Sequence, residues 1–442
     1  MIKRLLLITI CFYPLVTSAQ SVEDSLMASQ KLNFHFQNTL IYQYHPSFDA
    51  KYSGKNSLIN SEEKNLSASV TFFLGLKLWR WSSVYFNSEM TAGSGFSQTH
   101  GIAGFPNGEV YRVDNTAPRI YIARLLFNQV IPLTDKMTIR GDDNNQLAGK
   151  MPLSYISLTF GKFSIMDYFD QNSYSHEPRT QFYNWALMGN GAWDYPANTR
   201  GYTYGLVAEL VKPLWAVRFA EVMVAEFVNG DVMDWDLRKA RSQALEFQYK
   251  YNLFNKKGEI RLFAYYTLAR MGSYRDAIDW GMIHNTAPDI DSVNRRGNTK
   301  YGFGINIEQN LGRNTGFFLR AGWNDGHNES WAFTEIDMTF SAGIELKGSL
   351  WNMEEDRLGL AMISNLISKD HREYLQKGGY GFMIGDGNLN YGSELIAEIY
   401  YSFKFGKYPV WLSPDYQFIL NPGYNKDRGP VNAFGIRVRT AL

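Results

Sequence analysis

The most constraining feature of this chain is a long-range alternation of apolar and polar residues. Every even position from Ala68 to Leu78 is apolar, and the stretches Leu245–Leu253 and Ile336–Leu346 also place an apolar residue at every second position. Successive side chains of a β-strand point to opposite faces, so each stretch is predicted to be a strand with one apolar and one polar face. The pattern therefore argues against a mainly helical fold.

Sixteen stretches of this kind follow one another along the chain. They lie near residues 32–44, 67–79, 82–93, 119–131, 154–163, 201–212, 214–226, 243–254, 258–270, 299–312, 315–325, 333–347, 356–366, 393–406, 409–420 and 431–442. Most are about ten residues long or longer, which is the length a tilted strand needs to cross a bilayer.

The connections between these stretches alternate between short turns and long polar segments. The long segments include 45–66, 94–118, 164–200, 271–298 and 367–392. Two connections, 132–153 and 347–356, fall where a short turn is expected and are longer. The run Asp142–Asn145 predicts that the first of these carries a turn with some structure of its own.

These observations define the expected fold class. A soluble β-sandwich also alternates, but its strands are mostly five or six residues long. A barrel in lipid turns the apolar faces toward acyl chains and the polar faces toward a water-filled lumen, and its closure removes the sheet edges. We therefore predict an all-β fold, a transmembrane antiparallel β-barrel of about 16 strands whose third external loop, 164–200, is long.

The first 19 residues are predicted to be a signal peptide, and residues 20–442 a single outer-membrane β-barrel domain. Lys3 and Arg4 precede an apolar run, and Thr17-Ser18-Ala19 supplies small residues for cleavage. The only cysteine, Cys11, lies in this segment, so no disulfide or thiol site is expected in the mature chain. The formal net charge of +1 gives no reason to expect a nucleic-acid partner.

Several residue strings resemble the carbohydrate-selective porins, the OprB-like family of Gram-negative outer membranes. The strings are Gly161-Lys162-Phe163, Asp167–Asp170, Pro178–Leu187, Asp194-Tyr195-Pro196, Thr199–Tyr202, Pro414–Ile419 and Asn421-Pro422-Gly423. The resemblance extends over nearly all of the mature chain. It implies a sixteen-stranded barrel in the cell outer membrane that lets mono- and oligosaccharides diffuse passively through a water-filled lumen.

The third long connection carries the best candidates for a sugar path. Aromatic rings stack on the apolar faces of a sugar, while Arg, Asp and Glu hydrogen-bond its hydroxyl groups. By analogy with general porins, this loop is expected to fold into the lumen and narrow it. The predicted constriction comprises Glu177, Arg179, Trp185, Trp193 and Asp194 from the loop, with Arg320 and Glu335 from the wall.

Two other functions stay open from the residues alone: a general or anion-preferring porin, and a barrel enzyme acting on lipid or surface polymer. The seven histidines are scattered and form no His-Glu-x-x-His pair, and no Gly-x-Ser-x-Gly motif occurs, so no enzyme activity is expected. No metal and no cofactor is expected either. The expected partners are a small-molecule carbohydrate and outer-membrane lipid, and a homo-oligomer is left open.

Overall fold

The computed structural model describes residues 30–110 and 116–442, so the predicted signal peptide lies outside the described residues. Sixteen strands form one closed barrel and two more form a small hairpin. The strands are β1 (Leu32–His45), β2 (Glu63–Trp79), β3 (Ser82–Gly93), β4 (Arg119–Pro132), β5 (Met137–Arg140), β6 (Gly149–Pro152), β7 (Tyr155–Phe163), β8 (Thr203–Val211), β9 (Trp215–Val222), β10 (Arg241–Leu253), β11 (Lys256–Ala269), β12 (Asn298–Asn310), β13 (Thr315–Asn324), β14 (Met338–Lys347), β15 (Arg357–Leu366), β16 (Glu394–Lys404), β17 (Val410–Leu420) and β18 (Val431–Ala441).

Every barrel strand pairs antiparallel with its neighbours along the chain. The exception in sequence order is β4, which pairs with β7 because the β5–β6 hairpin is set apart from the wall. The barrel closes between the first and last strands, where Leu40 lies opposite Val438. The predicted fold class and strand number are confirmed.

The two faces of the wall differ as the alternation predicts. On β14 the Phe340 side chain points outward and is 49% exposed, whereas its neighbour Thr339 points inward and is 4% exposed. On β10 the outward residues Leu245 and Phe247 are exposed, while Glu246 between them is buried inside. An outer surface of exposed Leu, Ile and Phe surrounding a polar interior suits acyl chains outside and water within.

The two ends of the barrel are unequal. At one end, here called the turn end, both barrel termini are found and the connections are short except for 133–154 and 348–356. At the other, the loop end, the connections are 46–62, 94–118, 164–202, 223–240, 270–297, 325–337, 367–393 and 421–430. Bacterial outer-membrane barrels have short periplasmic turns and longer extracellular loops, so we expect the loop end to face the cell exterior.

In their described parts, the loop-end connections contain three α-helices: α1 (Trp185–Met188), α2 (Tyr274–His284) and α3 (Lys369–Gln376). Single 3₁₀ turns lie at Phe96–Gln98, Ile165–Asp167, Asp291–Val293 and Pro422–Tyr424, and another, Gly348–Trp351, lies at the turn end. Ser273 caps the N-terminus of α2 and Ser368 that of α3, each side chain accepting a backbone N–H of the first turn. Within residues 30–110 and 116–442, none of the helices is long and apolar enough to cross a membrane.

Two predicted strand boundaries are wrong. The stretch expected at 333–347 becomes strand only at Met338, so Glu335 belongs to the connection 325–337 and not to the wall. The stretch expected at 214–226 ends at Val222, and the following residues form the connection 223–240. In both places the alternation runs on into loop residues that are buried by packing, such as Ile336 and Val224, so periodicity alone does not mark the strand end.

Candidate functional site: a constriction inside the barrel

The connection 164–202 between β7 and β8, here called the inner loop, folds into the lumen. Its residues Tyr183, Trp185 and Trp193 are buried. Glu398 on β16 accepts hydrogen bonds from the backbone N–H groups of Tyr183 and Asn184. Arg437 on β18 donates to the carbonyl of Pro178 at 2.6 Å. The expectation that this loop enters the lumen agrees with these contacts.

The start of the inner loop is attached to the opposite side of the wall. Arg320 on β13 lies 3.2 Å from the Asp170 carboxylate, and Asn306 on β12 donates to the same oxygen at 2.6 Å. Glu246 on β10 accepts the backbone N–H of Asp170 at 2.7 Å. Because the loop is bonded to β10, β12, β13, β16 and β18, it crosses the lumen and narrows it.

Lumen-facing glycines make room for this crossing. On β13 the inward positions alternate Gly316, Phe318, Arg320 and Gly322. A Cβ atom at Gly316 would collide with the ring of Tyr174, and one at Gly322 with the side chain of Asn190. At these two positions the wall therefore has no side chain in the path of the inner loop.

The end of the inner loop is held by another loop-end connection. The Asp194 carboxylate accepts the backbone N–H groups of Trp331, Ala332 and Phe333 at 2.6, 2.8 and 3.0 Å. Trp193 packs against Phe263 of the wall, with ring centroids 5.0 Å apart. These contacts fix the loop against both the wall and the 325–337 connection.

Between the inner loop, the connection 94–118 and β4 lies a cavity of about 140 Å³, here called the eyelet cavity. Three acids, three arginines and four aromatic rings are among its lining residues: Glu109, Asp167, Glu177, Arg124, Arg179, Arg200, Trp185, Tyr195, Tyr202 and Phe333. The cavity thus combines planar hydrogen-bonding groups with flat apolar faces.

The charges of the eyelet cavity are arranged in close pairs. Arg179 donates to Glu89 on β3 at 2.9 Å and to Glu109 at 2.8 Å. Arg124 on β4 bonds Asp167 with two nitrogens, at 2.7 and 2.5 Å. Two bonds from one guanidinium to one carboxylate, as at Arg124, fix the positions of both planar groups.

Burial and the neighbouring charges shift the pKa of Arg179 in opposite directions. Burial favours the neutral guanidine, but the carboxylates of Glu109 and Glu89 outweigh it and hold the pKa of Arg179 above its ordinary value. Burial raises the pKa of the Glu109 carboxyl, and Arg179 opposes this shift. Arg179 is therefore a permanent cation in the wall of the cavity.

The aromatic groups are held as firmly. The indole N–H of Trp185 donates to the carbonyl of Asn107 at 2.7 Å, and the ring stacks on Phe333 with centroids 5.5 Å apart. The Asn184 side chain caps the short helix α1 by accepting the N–H of Ala186, which sets the position of Trp185. The guanidinium of Arg200 lies over the ring of Tyr121 at 4.4 Å.

The predicted constriction residues fall into two groups. Arg179, Glu177 and Trp185 line the eyelet cavity. Trp193, Asp194, Arg320 and Glu335 are buried among protein groups; Glu335 accepts the N–H groups of Met383 and Ile384, both at 2.8 Å. Trp193 and Asp194 are part of the inner loop and Arg320 anchors it, whereas the Glu335 carboxylate bonds the connection 367–393. A direct contact with solute stays a prediction for all seven residues.

Glu109 and Tyr202 are cavity residues that were not among the sequence candidates. Glu109 comes from the connection 94–118, whose approach to the inner loop is a long-range contact without a local pattern. Tyr202 ends the inner loop directly before β8, and its hydroxyl donates to Glu89 at 3.0 Å. One feature of the sequence could have pointed to these residues. Glu89 lies on the inward face of β3, and a buried acid requires a cation and hydrogen-bond donors beside it.

Over the described parts of the chain, 30–110 and 116–442, no group of three His, Cys, Asp or Glu side chains is arranged to hold a metal ion. The fold and the constriction together define a class of protein: a β-barrel channel of the outer membrane whose lumen is narrowed by an inward-folded loop. Within that class, the chain belongs to the carbohydrate-selective porin, OprB family, whose family model matches residues 55–442.

Solved structures agree on the fold. The high-pH structure of OprB from Pseudomonas putida is similar to this chain with a TM-score of 0.68 and 15% sequence identity, covering 93% of this chain and 94% of that one. The low-pH structure of the Pseudomonas putida protein gives a TM-score of 0.50 at 12% identity, covering 93% of each chain. A comparison with curated proteins finds no match.

Proposed function

We propose that mono- and oligosaccharides cross this porin by passive diffusion and bind weakly and transiently in the eyelet cavity. The observation that carries the proposal is the cavity itself, where Arg179, Arg124 and three acids face the same space as Trp185 and Tyr195. A sugar ring presents hydroxyl groups at its edge and C–H groups on its faces, so it matches both kinds of lining group.

The pairing of the charges supports a preference for neutral solutes. Arg124, Arg179 and Arg200 each have a carboxylate beside them, so the cavity offers hydrogen bonds without a large net field. A conducting site must release its solute, and several weak contacts permit this where one tight contact would not. An anion-preferring pore would instead require unpaired positive charge in the constriction.

We also propose how the chain is processed and what its outer face contacts. Residues 1–19 are removed as a signal peptide, residues 20–442 form one barrel domain, and N-terminal sequencing of the mature protein should begin at Gln20. The exposed apolar outer face contacts outer-membrane lipid. The chain has no catalytic activity in this proposal, and turnover of ester or glycan substrates by the pure protein would contradict that part.

The decisive experiment is sugar block of the ion current through the purified protein in planar bilayers. Trp185→Leu removes a ring from the eyelet cavity, and the matched control Trp280→Leu removes one from α2, outside it. Losing the stacking of one ring costs about 0.5–1.5 kcal/mol, so we expect sugar block several-fold weaker for Trp185→Leu and unchanged for Trp280→Leu. Equal sugar block in both variants, with normal barrel assembly, would place the selective site elsewhere.

A further inference from the structure

The β5–β6 hairpin belongs to a turn-end connection, yet its tip lies inside the barrel. The side-chain amide of Asn33, which points inward from β1, donates to the Asp142 carboxylate at 2.5 Å and to the carbonyls of Asp143 and Gln146 at 3.0 and 3.2 Å. His35, two residues further along the same inward face, lies 3.3 Å from Asp142. These bonds hold the tip against the lumen side of β1.

The tip is also bonded to β3. The amide of Asn87, which is buried on the inward face of β3, donates to the side-chain oxygen of Asn145 at 2.7 Å. The Leu147 N–H lies 3.4 Å from the hydroxyl of Tyr85 on the same face. The hairpin is therefore fixed to two wall strands at once, with β2 between them.

The depth of this insertion follows from strand geometry. Asn87 is five residues above Ser82, the turn-end residue of β3, which corresponds to about 17 Å along the strand. For a strand tilted by roughly 40° this is about 13 Å of height, half of an apolar band about 25 Å tall. The side-chain oxygen of Asn87 accepts a hydrogen bond of 3.3 Å from Arg124, a residue of the eyelet cavity. The hairpin tip thus reaches the level just below the constriction.

Local hydrogen bonds hold the hairpin tip in a defined turn. Asp143 and Gln146 exchange backbone hydrogen bonds at 3.0 and 3.2 Å. The Ala148 N–H donates to the side-chain oxygen of Gln30 at 2.7 Å, and the Gln30 N–H donates to the carbonyl of Ala148 at 3.1 Å. Asn145 adopts a left-handed backbone with φ of 55°, a conformation that asparagine tolerates in tight turns. The carboxylate of Asp142 stays partly exposed although it accepts a hydrogen bond from Asn33, and the side chain of Asp143 is exposed.

We propose that segment 137–152 forms a second narrowing of the channel, on the periplasmic side of the eyelet cavity, and that Asp142 and Asp143 present negative charge to solutes leaving through it. This inference rests on the channel function proposed above. The acidic tip disfavours anions and offers carboxylate acceptors to sugar hydroxyls, so it adds an exit filter to the entry filter of the inner loop.

Cysteine modification tests this placement, because the only natural cysteine, Cys11, lies in the predicted signal peptide. Asp143→Cys puts a thiol at the tip, and the matched control Asp135→Cys puts one at the exposed start of the same connection, outside the hairpin strands. A bulky methanethiosulfonate reagent is added from the periplasmic side to single channels in a planar bilayer. We expect a roughly two-fold stepwise loss of conductance for Asp143→Cys and no loss for Asp135→Cys.

The charge of the reagent supplies the second readout. In the Asp143→Cys variant, a sulfonate-bearing reagent on the introduced thiol should keep the reversal potential of the unmodified wild-type channel, and a trimethylammonium-bearing reagent should shift it toward anion preference. Complete labelling of Asp143→Cys without change in conductance or reversal potential, or equal effects in the two variants, would overturn the proposal. Because the readout is ion current alone, a failure of sugar binding in the eyelet cavity would leave this result interpretable.

Discussion

Replacing Arg320 by methionine should release the start of the inner loop without opening the barrel. The guanidinium is fully buried and bonds the Asp170 carboxylate at 3.2 Å, the carbonyl of Leu187 at 3.1 Å and the carbonyl of Ser175 at 2.6 Å. Methionine has a similar length and keeps part of the packing, but it leaves these oxygens without their donor.

The size of the expected loss of loop anchoring follows from the burial of the Arg320–Asp170 ion pair. Removing one partner of a buried ion pair costs about 3–5 kcal/mol, because the remaining charge is left uncompensated. At about 1.4 kcal/mol per factor of ten, the equilibrium constant for the closed position of this part of the loop should fall by a factor of roughly 10² to 4 × 10³. Asn306 and the N–H of Asn190 still bond Asp170, which places the expected value toward the lower end.

Thiol labelling of a cysteine at the fully buried position Ala186 reports this opening. In the Ala186→Cys background, Arg320→Met should raise the labelling rate by about 10²-fold, since local opening controls access to a buried group. The matched control is Arg439→Met on β18, which removes another inward arginine whose hydrogen bond goes to Gln37 of the wall and not to the inner loop. An unchanged labelling rate in Arg320→Met, or the same increase in Arg439→Met, would refute the anchoring role of Arg320.

Two further predictions concern the wall and a loop-end connection. Phe340→Arg, on the exposed outer face of β14, should lower the free energy of unfolding by about 2–4 kcal/mol, while Phe340→Leu should change it little. Urea unfolding followed by gel mobility measures both variants. Equal free energies of unfolding would show that this face does not contact lipid. Glu329 in the connection 325–337 accepts the N–H of Gly272 at 2.6 Å, and burial raises its pKa to about 8. The folded protein then keeps a proton on Glu329 that the unfolded chain releases near pH 4.5. The free energy of unfolding should therefore fall as the pH rises from about 4.5 to about 8. Proteolysis of the loop-end connections at several pH values should show this loss, and Glu329→Gln should weaken it; an identical pH profile in the variant would contradict the assignment.

The sequence alone determined the wall of this protein. Alternation is a local property of each strand, and a membrane barrel requires it because one face meets lipid and the other water. Sixteen stretches can therefore be counted from the order of the amino acids, and the exposed Phe340 beside the buried Thr339 shows that the faces were assigned correctly. Alternation does not determine the strand ends, as at Glu335, because buried loop residues continue the same pattern.

The interior was decided by the tertiary structure. Arg320 and Arg179 have the same side chain, and the sequence placed both in the constriction, yet one is enclosed by the inner loop and the other lines the eyelet cavity. The hairpin tip at Asp143 likewise contacts a residue more than a hundred positions away, at Asn33. Alternation states only that a side chain points inward; what it meets there depends on loops brought across the lumen by contacts between distant parts of the chain, and such contacts leave no periodic trace in the sequence.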